Sequence, residues 1–253
     1  MKKSVIKAEK ISKSYAHNGH QNHVLNQVSL ELYEKDFTVI MGPSGSGKST
    51  LLYSLSGMDN INSGHVYFKE QDIATMSEHE LARLRKESFG FIFQQMHLVN
   101  NLTLYENVAI SGYLKKELKS KEVEQRSKEL LEKMGLKEKV NHLPSQVSGG
   151  EQQRAAIARA VIAKPSFVFA DEPTGALNRK NAQEVLNLLS EINEGGQSIL
   201  MVTHDQRCAL RGNRILYIED GRIIGDLSLP PYRQQDEKAR EIQVNAWLSS
   251  MEW

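Results

Sequence analysis

The chain has 253 residues, enough to bury a full core as one large α/β domain or as one domain carrying an inserted subdomain. A net charge of +1 with 25% charged residues leaves no global field to hold nucleic acid or an anionic membrane surface. The single cysteine, Cys208, excludes an internal disulfide framework and fits a reducing cytosol, and no apolar stretch approaches the roughly 20 residues of a membrane helix.

At the start, Met1-Lys2-Lys3-Ser4 leads into alternation rather than an apolar run, so no signal peptide is predicted. Residues 5–14 alternate as a strand, and 24–33 read as its antiparallel neighbour. Between them stand His17, His20 and His23. Asn18-Gly19 is a turn signal and no carboxylate or thiol lies nearby to complete a ligand set, so the stretch predicts a turn, not a metal site. Tyr15, at the end of the first strand, is either a ring that stacks on a purine base or a half-buried strand tyrosine.

Four residues of strand character, 38–41, run into Gly42-Pro43-Ser44-Gly45-Ser46-Gly47-Lys48-Ser49-Thr50, the G-x-x-x-x-G-K-[ST] spacing of a phosphate-binding loop. Glycines at 42, 45 and 47 let the backbone turn tightly, so that successive N–H groups point at a polyphosphate. Lys48 supplies a mobile charge for the outer phosphates, and the Ser49 hydroxyl is a hard oxygen ligand for Mg²⁺. The helix opening at Ser49 and Thr50 turns its positive end toward the anion.

Helix 49–56 is predicted to stop at Gly57, and 63–69 reads as turn then strand. Residues 77–85 form a short helix with Ser77 and Glu80 as a capping box, and 89–93 a compact apolar strand ending at Gln94-Gln95. Helical periodicity then dominates to about residue 163. In 120–134, Val123, Ser127, Leu130, Leu131 and Met134 line one face, and Gly135 closes the segment. A helical block between strands predicts an inserted subdomain, about 96–163, and the Lys/Glu run at 115–129 reads as a solvated face.

Within that block, Ser148-Gly149-Gly150-Glu151 opens a helix with Ala156, Ile157, Ala160 and Val161 on its apolar stripe. This is a second anion site at a helix N-terminus, with Ser148 as cap. One nucleotide has one triphosphate, already wrapped by residues 42–50, so the second site predicts contact with the nucleotide of another copy across a two-fold axis. Residues 167–170 make a buried parallel-type strand with Asp171 and Glu172 at its C-terminal end, the edge where open α/β sheets bind ligands. There Asp171 is placed to hold magnesium and Glu172 to orient the water that attacks the γ-phosphate.

The phosphate loop, Gln94, Ser148-Gly149-Gly150, Asp171-Glu172 and Thr203-His204-Asp205 stand in the order seen in ATP-binding-cassette ATPases, and the chain resembles that family over roughly residues 4–228. The resemblance implies a P-loop NTPase with a RecA-like mixed-sheet core, an N-terminal antiparallel β subdomain and the helical insertion, spanning 1–229. It also implies roles by position. Tyr15 looks like the adenine-stacking aromatic, Gln94 like the glutamine that reaches the magnesium and couples to a membrane partner, and His204 like the switch histidine on the γ-phosphate. Catalysis would then rest on Glu172, His204 and Lys48, with ATP and Mg²⁺ as ligands.

Glu151 stands where most of the family has glutamine, and with Pro173-Thr174-Gly175-Ala176-Leu177 it is similar to the branch of macrolide exporters and lipoprotein-release ATPases. That branch includes bacitracin-type peptide-antibiotic resistance ATPases. Asn178 replaces the family's aspartate, which keeps the hydrogen-bonding shape and loses the charge. The resemblance implies a homodimer driving a separate integral membrane permease, cytoplasmic and peripheral on the inner face of the cell membrane, with no nucleic acid partner and no direct insertion. The alternative is a soluble cassette ATPase without a membrane role, such as an iron–sulfur-cluster assembly ATPase. After Pro230-Pro231, a tail over 230–253 carries Val244, Trp247, Leu248 and Met251 at helical spacing; it reads as a docked helix or as a regulatory or permease contact.

Overall fold

A computed structural model describes residues 2–17 and 20–251; the expected turn at Asn18-Gly19 and the side chains of His17 and His20 lie outside the described residues. The chain divides into two compact units, Met1–Leu81 with Asn193–Trp253, and Ala82–Ile192.

The first unit opens with β1 (Ser4–His17) and β2 (His20–Tyr33), an antiparallel pair in which Lys7 faces Glu31 and Ala8 faces Leu30. Alternation puts Ile6 and Ala8 of β1 and Val28, Leu30 and Leu32 of β2 inside, and register shifts along the pair bring Val5, Ile11 and Leu25 inside as well. β4 (Ser63–Phe68) adds to β1 and β5 (Gln71–Asp72) to β4, giving the antiparallel order β2-β1-β4-β5. The other strands of this unit are β3 (Phe37–Met41), β8 (Ser198–Val202), β9 (Arg214–Glu219) and β10 (Arg222–Ser228). β3 lies between β8 and β9, parallel to both, so both of its edges are paired, and all five of its residues are buried. Phe37, Val39, Ile40 and Met41 are fully buried, each worth about 1.5–3 kcal/mol of burial. This strand anchors the loop that follows it. Two helices complete the core here: α1 (Lys48–Leu55) and α7 (Gln206–Ala209).

The tail forms α8 (Glu237–Ser249), packed on the same unit. Val244 and Leu248 are buried, Trp247 meets Tyr217 edge-on at 6.4 Å, and a Cβ at Gly225 would lie 2.8 Å from the Trp247 ring. Buried Arg240 donates to Leu210 O (2.6 Å), Pro230 O (2.8 Å) and Gly212 O.

The chain passes into the second unit within α2 (Glu78–Ser88) and leaves it within α6 (Arg179–Glu194). There β6 (Phe89–Ile92) pairs in parallel with β7 (Phe167–Asp171), packed by Phe89, Phe91 and Phe169 ring contacts. Between them run α3 (Leu104–Tyr113), α4 (Ser120–Lys133) and α5 (Gly149–Val161). Capping boxes fix the starts of three helices: Ser77 with Glu80, Thr103 with Glu106, and Ser148 with Glu151. The Lys/Glu run at 115–129 is not solvated throughout. Lys115 Nζ donates to Ala163 O (2.7 Å) and Arg126 Nε to Ile162 O (2.7 Å), supplying donors to carbonyls just past the end of α5 that have no helical partner.

Candidate functional site

In the first unit the phosphate loop grows from the buried end of β3. Gly42 has a φ of +156°, and a Cβ there would lie 2.1 Å from Ile218 O, so no other residue fits. Gly47, at +99°, is the left-handed N-cap of α1, and no side chain caps that helix among the described residues. Its positive dipole end favours an anion there. Lys48 is buried, and its Nζ donates to Gly42 O at 2.9 Å and Pro43 O at 2.8 Å, which folds the ammonium back over the loop. Ser46 Oγ is buried with no hydrogen-bond partner among the described residues. A buried hydroxyl in that state costs stability unless a ligand satisfies it, and a phosphate oxygen would.

β3 and β8 run parallel with Ile40 opposite Val202, so Gly42 and His204 each stand two residues past a matched pair, at one C-terminal sheet edge. Thr203 N donates to Ile40 O (3.1 Å) and Asp205 N to Thr203 Oγ1 (2.9 Å), so the backbone on both sides of exposed His204 is held. Asp205 caps α7 and pairs with Arg207 at 2.6 Å; burial alone would raise its carboxyl, but the Arg207 contacts hold it below the usual range. Tyr15 lies 42% exposed near the end of β1, with its hydroxyl on Asp59.

The second unit gathers the other expected residues. Ile92 of β6 faces Ala170 of β7, so Gln94 and Glu172 each lie two residues beyond that pair, again at a C-terminal edge. Half-buried Asp171 closes β7. A Cβ at Gly175 would lie 2.8 Å from Gln94 Nε2 and 3.2 Å from Glu172 Oε2; both side chains thus border one spot. Glu172 has a φ of +43°, a left-handed conformation that costs a branched or long residue energy and collects at functional sites.

Ser148, Gly149 and Gly150 stand at the N-terminus of α5, but part of their chemistry is spent locally. Glu151 Oε2 accepts from Ser148 N and Ser148 Oγ, both at 2.8 Å, and Ser148 Oγ accepts from Glu151 N at 3.3 Å. These bonds, the backbone one first, hold the Glu151 carboxyl below its ordinary 4.5. Gly150 has a packing reason of its own, since a Cβ would meet Asn181 at 2.5 Å; Gly149 has nothing nearer than Met96 at 3.7 Å. Asn178 Oδ1 accepts from Asn181 N (3.0 Å) at the start of α6, a cap that asparagine makes as well as aspartate.

Some residues that build the site escape motif reading. Gln153 is fully buried, and its Nε2 donates to Phe93 O (3.1 Å) and Pro173 O (2.8 Å), the residues flanking Gln94 and Glu172. Arg159 ties the same helix to Met96 O and His97 O at 2.7 and 2.6 Å. The available signal was a glutamine four residues before Ile157, on the apolar stripe of α5. Among the described residues no three His, Cys, Asp or Glu side chains form a metal group. Ser49 in the first unit, and Gln94 and Asp171 in the second, each offer a hard oxygen donor of the kind Mg²⁺ takes.

A glycine loop on a buried parallel strand, an uncapped helix behind it and acids at a sheet edge define a nucleotide-binding α/β cassette. The family model described as ABC transporter matches residues 25–175, and the chain belongs to the ABC transporter family, as one of its ATP-binding, ATP-hydrolysing cassettes. It is 39% identical, over its whole length, to the macrolide export ATP-binding/permease protein MacB of Pasteurella multocida, of which it spans 38%. It is 43% identical to the uncharacterised ABC transporter ATP-binding protein MJ1508 of Methanocaldococcus jannaschii over 87% of this chain and 98% of that one. The Bacillus subtilis protein YvrO, of the same description, is 42% identical over 86% and 96%. Among solved structures, the dimeric post-hydrolysis state of the cassette MJ0796 bound to ADP and Pi superposes with a TM-score of 0.83 at 36% identity, covering 90% of this chain and all of that one. The mixed α/β fold with its antiparallel sheet and helical insertion agrees with that cassette.

Proposed function

We propose that the chain is the nucleotide-binding subunit of a membrane transporter, an ATP-driven homodimer that works a separate permease in export or antimicrobial-peptide resistance. Residues 1–229 are the ATPase domain in this reading, with the helical insertion at about 96–163 and the tail at 230–253. The observation that carries it is the phosphate cradle: Gly47 starts α1 without a side-chain cap, the Ser46 hydroxyl is buried with no hydrogen-bond partner among the described residues, and the Lys48 ammonium folds over the loop onto Gly42 O.

Loop amides, Ser46 and Lys48 bind the phosphates, and Tyr15 takes the base. Ser49, Gln94 and Asp171 would hold Mg²⁺, which when bound neutralises charge on the outer phosphates. Glu172 orients the attacking water and draws its proton, and His204 donates to the γ-phosphate. Ser148, Gly149, Gly150 and Glu151 meet the nucleotide of the partner copy. Support for a dimer comes from the dimeric MJ0796 cassette, and for a transport role from the export ATP-binding/permease name of the Pasteurella relative. No helix among the described residues is long and apolar enough to cross a membrane; in this reading a separate permease does the spanning and the chain works on its cytoplasmic face. Val99, Ile110, Tyr113 and Leu114 are exposed in the second unit, after Gln94, and suit a permease contact.

Glu172→Gln tests the assignment. The amide keeps the shape but cannot take a proton, so turnover should fall by roughly 10² to 10⁴ while ATP still binds. Hydrolysis near the normal rate would remove Glu172 from the mechanism.

A further inference from the structure

Three side chains at the end of β1 form a closed set that the phosphate chemistry leaves unused. Lys13 is buried, an unusual place for a lysine, and its Nζ donates to Asp59 Oδ1 at 2.6 Å and to Asn60 O at 2.5 Å. The other carboxylate oxygen, Asp59 Oδ2, accepts from the Tyr15 hydroxyl at 2.5 Å. The same Lys13 ammonium sits 4.8 Å from the centroid of the Tyr15 ring, in cation–π range. Tyr15 is thus gripped at its hydroxyl and covered on one face, yet keeps 42% of its surface open. Asp59 is itself tied to the helix behind the phosphate loop, through Asp59 N to Tyr53 O at 3.2 Å.

We propose that Asp59 and Lys13 are positioning residues for the nucleobase: they lock the Tyr15 ring in place relative to α1, so that its open face stacks on the base at a fixed distance from the phosphates. The inference rests on the reading of Tyr15 as the base platform. A ring held in advance loses little freedom on binding, so more of the stacking energy appears as affinity. Burial chiefly, and then the Asp59 bond, push the Tyr15 hydroxyl above its ordinary range against a smaller pull from Thr50. A merely structural pair, pinning β1 to the loop after α1, would not distinguish the base from the phosphates.

The test is calorimetric titration of the full chain with ATP and, separately, with inorganic tripolyphosphate. Tyr15→Leu should weaken ATP about tenfold, the usual worth of a base–aromatic stack, and leave tripolyphosphate unchanged. Tyr15→Phe, Asp59→Asn and Lys13→Gln should each weaken ATP about threefold, as for one lost hydrogen bond, again without touching tripolyphosphate. Asp59→Asn placed on Tyr15→Leu should add nothing. If Tyr15→Leu leaves ATP affinity unchanged, the platform reading itself fails and the inference with it. If Tyr15→Leu weakens ATP but Asp59→Asn does not, only the positioning role is overturned. It is likewise overturned if Asp59→Asn weakens both ligands equally, or costs the same threefold in the Tyr15→Leu background.

Discussion

Lys48 shows how much one residue can carry. Its ammonium is buried against the carbonyls of Gly42 and Pro43 in a loop otherwise built of neutral amides. In the proposed reading Lys48→Ala removes the loop cation that meets the outer phosphates, and a charge-assisted contact of that kind is worth about twice a neutral one. ATP affinity should fall at least tenfold in a titration with a fluorescent analogue; unchanged affinity would mean that residues 42–50 are not the cradle. Lys48, Ser49, Asp171 and Glu172 could be proposed from the sequence because their chemistry follows from residue type at short spacing. Lys13, Asp59 and Gln153 were not, because each acts through a partner 20 or more residues away. No local pattern encodes such pairs. The strained φ of Glu172 belongs to the same class: Pro173 after it hints at extended backbone, and only tertiary packing holds it left-handed.

At the scale of elements, α8 was readable as a helix, while what anchors it was not. Its key is Arg240, a polar residue on an otherwise apolar face, which satisfies three carbonyls between Leu210 and Pro230. Arg240→Met keeps volume and removes the donors, so the orphaned carbonyls should cost about 2–3 kcal/mol, seen as a lower midpoint in urea. Unaltered stability would show that α8 is not held by this residue. The capping boxes make a second prediction. Hydrogen bonds from Ser77, Thr103 and Ser148 depress the carboxyls of Glu80, Glu106 and Glu151 below their ordinary value of 4.5. A depressed folded-state value means that the stabilisation is complete above that ordinary value and is lost as pH falls through the folded values. The thermal midpoint should therefore hold near neutrality and drop below about pH 4.5. A triple Glu→Gln variant, which keeps the boxes without the charge, should drop less over the same interval; an equal drop would assign the acid sensitivity to other carboxylates.

Across the whole molecule, most of the element order up to β7 followed from periodicity and turn residues, with alternation at 5–14 and apolar runs at 38–41 and 167–170, whereas α6, α7, β9 and β10 were not read. The two-unit division of the contacts, with its passage inside α2 and α6, was hidden because both helices carry an unbroken pattern through it. The central claim is that the chain works as an ATP-closed homodimer with Ser148 on the partner's nucleotide. In the proposed reading residues 42–50 wrap this chain's own triphosphate, so the N-terminus of α5, where Ser148 and Glu151 form a capping box, meets the phosphate of a second copy. The most direct measurement is the mass of the protein with saturating ATP, by sedimentation, for Glu172→Gln and for Glu172→Gln with Ser148→Arg. The account predicts a dimer for the first and a monomer with nearly normal ATP affinity for the second. An ATP-dependent dimer that forms equally well with arginine at position 148 would contradict it.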